Sequence, residues 1–540
     1  MSSASWPVGR YLAETLAANG IDTVFGIPGV HTLELYRGLG TAGMRHVLVR
    51  HEQNAGFAAD GYARVSGRPA AAFVISGPGV TNILTAMGQA YTDSVPMLVV
   101  ASAPPRETLG KGWGVLHELK DQHALAAGVS EIARSAFSAE DVREHLRTIL
   151  GSFGVGRPRP FYLQVPLDVL AEQTTLRPER FERIAGEPGP DPQSIAHAAT
   201  ALLEARRPLI IAGGGALKAG SLIKRLAERL DGYVLATAAG KGVLPEEHPA
   251  NLGGALQFRA VHELASSADV VLAVGTELSE TDLFTIPRLA LTGRLIRIDI
   301  DRTRLIDHYH CDIGIWADAE ASLEQILREI SSRAQSAHAA WRSERGPARV
   351  HRALIEESFD GAARARMRAL RALRDALPAD AVVCADMTQI AYLGSYGFPT
   401  DHPGTWLLPN GFGALGYALP AAIGAKLANE SRAVIALAGD FGLQFTMQEL
   451  GTAVELGLSL PIVVWNNAAL GQIRDDMQAA HIPLLGVVAR NPDFIALAQA
   501  YGMPGVRART SAELGGAVAA ALERRGPTLI EIWADDFLRA

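Results

Sequence analysis

Val434-Ile435-Ala436-Leu437-Ala438-Gly439-Asp440-Phe441-Gly442, then Met447-Gln448-Glu449-Leu450, then Ile462-Val463-Val464-Trp465-Asn466-Asn467, is the stretch that decides the fold. Val434 to Ala438 is an unbroken apolar run ending on Gly439-Asp440, and Ile462 to Trp465 is another ending on Asn466-Asn467. Apolar strands without alternation belong to parallel sheets buried on both faces. The order is therefore strand, turn, helix, strand. Glycine at a strand end lets backbone N–H groups approach a phosphate, and the following helix offers its positive end. Asp440 supplies a hard oxygen for Mg²⁺ and an asparagine amide oxygen supplies a second, with diphosphate oxygens and water completing an octahedron.

The same logic extends outward along the 540 residues. Thr23 to Phe25 runs into Gly26-Ile27-Pro28-Gly29, His46 to Arg50 ends at His51-Glu52, and Ala70 to Ile75 ends at Ser76-Gly77-Pro78-Gly79 with a helix from about Thr81. Pro208 to Ala212 precedes Gly213-Gly214-Gly215, Val270 to Val274 precedes Gly275, Leu295 to Ile298 precedes Asp299, and Val382 to Cys384 precedes Asp386. In open α/β sheets this carboxyl edge is where ligands bind. Two polar stretches, Ala171 to Gln193 and Ser331 to Arg352, read as linkers. The fold expected is α/β, with three doubly wound parallel-sheet domains over residues 1–175, 190–330 and 355–540. The first and last are similar in style but share no repeat.

Composition narrows the function. Apolar residues at 48% allow large cores, and a net charge of −7 lacks the basic footprint of an obligate nucleic-acid partner. Cys311 and Cys384 form no metal or redox pattern. Met1 to Pro7 lacks a signal-peptide pattern, and no apolar run reaches the length of a membrane span. A cytoplasmic protein is expected, with no membrane partner.

The Gly439-Asp440 to Asn466-Asn467 block resembles the cofactor motif of thiamine-diphosphate enzymes. The separation, 467 − 440 = 27, suits that family. The resemblance implies thiamine diphosphate and Mg²⁺ as cofactors, with Asp440, Asn467 and the carbonyl of Ala469 as metal ligands. It places Gly439, Asp440, Phe441, Gly442, Asn467, Leu470 and Gly471 at the diphosphate, although Phe441 stands where the family usually has Gly. Thr388 and Gln389 belong to the same end of the cofactor. Pro409 to Gly416 resembles the stretch that props the cofactor into a bent shape, with Gly413 and Leu415 as its candidates; ordinary core is the other reading of Leu415.

Arg50-His51-Glu52-Gln53, Asp60-Gly61-Tyr62-Ala63-Arg64 and Ser76-Gly77-Pro78-Gly79-Val80-Thr81-Asn82 resemble the pyrimidine-binding domain of the acetolactate synthase and pyruvate decarboxylase group. The resemblance assigns Glu52 to the aminopyrimidine ring, where its carboxyl promotes loss of the proton from the reactive ring carbon. A carboxyl suits that work when burial raises its pKa. Asn82 is expected near Glu52, as a contact or only as a helix cap. His117, where acetolactate synthases usually have Gln, reads as a proton relay or as a satisfied loop histidine. In this family Glu52 of one subunit faces Asp440 of another, which implies a homodimer or a dimer of dimers. FAD in the middle domain is possible for some relatives, but a lone Gly213-Gly214-Gly215 turn does not favour it.

The cofactor fixes attack on a 2-oxo acid and loss of CO₂, not the product. Phe25 to Leu39, His51 to Gln53 and Val274 to Glu277 resemble the 5-guanidino-2-oxopentanoate decarboxylases. That favours non-oxidative decarboxylation to an aldehyde over the alternative, a carboligase of the acetolactate synthase type. Val30 and His31 are substrate candidates on this resemblance. A guanidinium needs a carboxylate partner: Asp475 and Asp476 are the candidates, Glu280 and Asp282 weaker ones, and a solvated helix face is the plain alternative for all four.

Overall fold

A computed structural model describes residues 5–182, 186–333 and 340–539. It contains three six-stranded parallel sheets. The first runs, in spatial order, Arg45–Leu48, Thr23–Gly26, Ala70–Val74, Met97–Ala103, Pro160–Pro166, Ile132–Ser135. The third runs Trp406–Leu407, Val382–Ala385, Val434–Gly439, Pro461–Asn466, Thr528–Trp533, Gly505–Ala508. Numbered along the chain within each sheet, both orders are 2-1-3-4-6-5. The two domains share a topology that no repeated residue announces. The middle sheet runs Asn251–Gly253, Tyr233–Ala236, Pro208–Ala212, Val270–Val274, Arg294–Asp299, Ile313–Trp316, the order 3-2-1-4-5-6 of dinucleotide-binding folds.

The central strands form where the apolar runs predict them, and the five residues of Ala70–Val74, Pro208–Ala212 and Val270–Val274 are all buried. In the first and third sheets the chain reverses its direction of progress between strands one and three. Such a switch point opens a crevice at the carboxyl edge. Asp386 and Asp440 follow the two strands flanking it in the third sheet; Ile27 and Ser76 lie just beyond the corresponding strands in the first.

The first and third domains meet through two helices, Glu52–Ser66 and Ala418–Ala428. A side chain at Gly424 would overlap the Ala58 carbonyl, and one at Gly61 would overlap that of Ala421. Glycine is required here for close approach. Gly424→Ala is expected to force these helices apart at a cost of about 3 kcal/mol, read as a lower denaturation midpoint.

Both stretches expected as linkers make defined contacts with the domains. Asn19 bonds Glu179 and Phe181, which tacks the first stretch back onto the N-terminal domain. The second contains helices Trp341–Arg345 and Ala348–Glu357, and Trp341 is buried against Tyr233 at 5.1 Å between ring centroids. One tryptophan anchors a segment whose composition is otherwise that of a linker. Residues 183–185 and 334–339 of these two stretches, and residues 1–4 of the start read for a signal peptide, lie outside the described residues. Among the described residues, no helix is long and apolar enough to cross a membrane.

Candidate active site

Three glycines draw the C-terminal cluster together. A Cβ at Gly439 would sit 2.9 Å from the Thr388 hydroxyl, and one at Gly442 would sit 2.5 Å from the Asp386 carboxylate. At Gly471 it would overlap the Asn467 amide and come within 2.7 Å of the Gln389 oxygen. Thr388, Gln389, Asp440 and Asn467 thus converge from separate strand ends because the glycines at the points of close approach carry no side chains. Asp386 is buried and accepts from the N–H groups of Met387 at 2.8 Å and Gly416 at 3.0 and 3.1 Å. Burial pushes its carboxyl up to about 6, against the pull of those donors. Gly413 at φ 71° and Gly416 at φ 87° turn the chain around Leu415, which stays half-buried beside this cluster rather than in the core.

Asp440, 2% exposed, opens the helix Asp440–Thr446, with the half-buried Phe441 next to it. Its Oδ2 accepts from Asn491 Nδ2 at 2.6 Å, and the same amide donates to Asn466 Oδ1 at 2.9 Å. Asn466 in turn donates to Glu531 at 2.8 Å, which Arg507 holds at 2.8 Å. Asn466 is therefore a strut, while Asn467 turns away from it. With Ala468 at φ 51°, the Asn467 Oδ1 accepts from the Ala469 N–H at 3.1 Å. Leu470 is fixed by its N–H bond to Val487 at 2.9 Å.

This cluster fits a divalent cation bound to a diphosphate. Burial raises the Asp440 pKa, and among the described residues it makes no ion pair. A buried carboxylate without a cation is costly. The donors around it, carboxylate, amide and carbonyl oxygens, are the hard ligands that Mg²⁺ prefers.

The N-terminal cluster lies at the carboxyl edge of the first sheet. Glu52, 8% exposed, is the first residue of its helix and accepts from Asn82 Nδ2 at 2.9 Å. Asn82 is not a helix cap: its helix runs Pro78–Thr92, begun by Gly77 at φ 66° and Pro78 at the first position. A Cβ at Gly56 would overlap Ala86, so the two helices touch one turn beyond Glu52 and Asn82. His31 is buried and bonds Ser76 Oγ at 2.6 Å; its ring packs edge-on against His117 at 4.7 Å. Burial, and then the His117 charge, lower the His31 pKa. The Nδ1 of His117 is buried with no partner among the described residues.

The remaining candidates scatter. Val30 is 65% exposed. Asp475 is committed to Arg474 at 2.9 Å and to Gln389 at 2.7 Å, whereas Asp476 is exposed and takes the amide of Gln472 at 3.0 Å. Glu280 is exposed, and Asp282 accepts from Ala238 N at 3.0 Å and Asn410 at 3.2 Å, which ties the middle domain to the C-terminal one. Among the described residues, no hydrogen bond or ion pair joins Glu52 to the Asp440 cluster. Asn491 and Asp386 are the members that sequence reasoning did not assign. Asn491 stands before Pro492, which reads only as a turn.

Both clusters lie within segments that match known protein families. Residues 7–125 match the thiamine pyrophosphate enzyme N-terminal TPP binding domain, 195–326 the central domain and 386–532 the C-terminal TPP binding domain. The chain is 47% identical to a probable 2-ketoarginine decarboxylase of Pseudomonas aeruginosa, over 97% of this chain and 93% of that protein. It is 29% identical to the acetolactate synthase isozyme 1 large subunit of Escherichia coli, over 97% and 93% respectively. It is 31% identical to an acetolactate synthase large subunit of Parasynechococcus marenigrum, over 96% and 86%. The chain belongs to the thiamine pyrophosphate enzyme family, whose cofactor is thiamine diphosphate.

Proposed function

We propose that the enzyme decarboxylates 5-guanidino-2-oxopentanoate, the 2-oxo acid of arginine, to the corresponding aldehyde and CO₂, using thiamine diphosphate and Mg²⁺. The observation that carries this reading is the gap in similarity between the 2-ketoarginine decarboxylase relative and the acetolactate synthases. Bound thiamine diphosphate supplies a carbon nucleophile and a sink for the electrons released with CO₂.

The chain's own residues do the rest. Asp440, Asn467 and the Ala469 carbonyl would hold Mg²⁺, and Thr388, Gln389 and the glycine-flanked backbone would hold the diphosphate. Leu415, half-buried beside this cluster, would pack against the cofactor. Glu52, oriented by Asn82, moves a proton at the aminopyrimidine ring. His117, whose buried Nδ1 has no partner among the described residues, holds a proton for the product carbon, with His31 packed against it at 4.7 Å between ring centroids. Asp475 already carries the guanidinium of Arg474, so Asp476 is the carboxylate assigned to the substrate. The resemblance carried by the two clusters supports a homodimer in which each site takes Glu52 from one copy and Asp440 from the other.

A panel of 2-oxo acids, read by CO₂ release and product mass, tests this. The guanidino acid is expected to exceed an uncharged acid of equal length by about 10- to 100-fold in kcat/KM, the worth of one charge-assisted pair. Conversion of pyruvate to acetolactate, with the guanidino acid inert, would establish the carboligase instead.

A further inference from the structure

We propose that Glu449 is a positioning residue for Glu52, holding the catalytic carboxyl in register from the C-terminal domain. The proposal rests on the reading of Glu52 as the acid at the pyrimidine ring. Glu449 lies in Met447-Gln448-Glu449-Leu450, nine residues along the chain from Asp440 (449 − 440 = 9). Its side chain does not point toward the Asp440 cluster. It is completely buried and crosses to the N-terminal domain.

There it holds the Arg50 backbone before Glu52 and the Asn54 side chain after it. One carboxylate oxygen accepts from the Arg50 N–H at 2.7 Å and from Asn54 Nδ2 at 2.8 Å. The other accepts from the Thr452 hydroxyl at 2.5 Å. Arg50 lies two residues beyond the strand Arg45–Leu48 that leads to Glu52, and Asn54 is the third residue of the helix that Glu52 begins. A single oxygen therefore ties positions two before and two after the catalytic acid. The Arg50 guanidinium adds a second tie, to Thr452 Oγ at 2.8 Å and Glu455 at 2.7 Å.

A helix's first residue has only half of its backbone bonds made within the helix, so its side chain swings with the turn that precedes it. The Asn82 contact fixes the Glu52 carboxylate from one direction only. Glu449 fixes the main chain from which the carboxylate hangs.

The test reads activation of the cofactor directly. Hydrogen–deuterium exchange at the reactive ring carbon of enzyme-bound thiamine diphosphate is followed by acid quench and proton NMR, at saturating cofactor and without substrate. Glu449→Ala is expected to slow exchange by about 10²-fold, the cost of a misplacement near 1 Å, and to lower kcat in proportion while KM holds. Glu449→Gln keeps the oxygen that Arg50 and Asn54 share and is expected to restore most of the rate. Arg45→Ala, which breaks the Arg45–Glu430 pair across the same domain boundary, is expected to leave exchange unchanged. Should Glu449→Ala fail to fold, Glu449→Asp decides, because it is one methylene too short to reach both donors. Wild-type exchange in the folded Ala or Asp variant overturns the proposal. So does a Gln variant as slow as Ala, or an Arg45→Ala variant slowed equally. Exchange requires no substrate, so a wrong substrate assignment leaves this test intact. Unchanged exchange in Glu52→Gln would instead remove the reading of Glu52 itself.

Discussion

Glu52→Gln is expected to cut CO₂ release from any accepted 2-oxo acid by about 10²- to 10⁴-fold, the range of general acid–base assistance. The substitution is conservative where it must be. The new amide oxygen can still accept from Asn82, and the neighbouring ties from Arg50 and Asn54 to Glu449 involve other atoms. What disappears is a group able to exchange a proton with the aminopyrimidine ring. The loss should therefore fall on kcat, with cofactor affinity and KM nearly unchanged. In free-energy terms it is about 3–5 kcal/mol of transition-state stabilisation. Undiminished CO₂ release at saturating cofactor would remove Glu52 from the mechanism and leave it a buried acid paired with Asn82.

Much of this arrangement was legible in the sequence because its parts are local. Runs such as Val434–Gly439 and Val270–Val274 are apolar throughout, so their burial on both faces follows from composition alone. The polar residue after each run then marks the carboxyl edge. Edge strands were harder to see. Ile132–Ser135 is only half-buried, and Trp406–Leu407 is two residues long, so neither makes a run. The shared 2-1-3-4-6-5 order of the outer sheets was invisible for a related reason: topology is set by which runs pair, and no residue repeats between the halves.

Contacts made across the fold were the least legible. Asn491 reaches Asp440 from 51 positions away, and Glu449 reaches Asn54 from 395. Neither partner is implied by spacing, since both depend on loop and helix packing. The start of the helix at Pro78 is an intermediate case. Proline at a first helical position and glycine at positive φ before it are readable signals. They place Asn82 one turn inside the helix, facing Glu52, instead of at its cap.

Asp440→Asn should separate metal binding from folding, because the two respond with opposite signs. Asp440 is buried, its pKa is raised by that burial, and no cationic side chain among the described residues compensates it. In a chelator, the neutral amide relieves this desolvation and can keep its oxygen toward Asn491, so the Tm is expected to rise slightly. With Mg²⁺ and thiamine diphosphate the order reverses. A ligand at one hundred times its Kd adds about 2.7 kcal/mol to the folded state. The wild-type protein is expected to gain that increment, and the variant to lose most of it along with its activity. A variant still stabilised by both ligands to the wild-type extent would place the cation elsewhere. Asn491→Ala offers the complementary comparison: it removes the amide that aims Asp440 but keeps the charge, and loss of such an outer partner costs about 10- to 100-fold in metal affinity. Asp440→Asn should exceed that loss, since it removes the charge that makes the buried site want a cation at all.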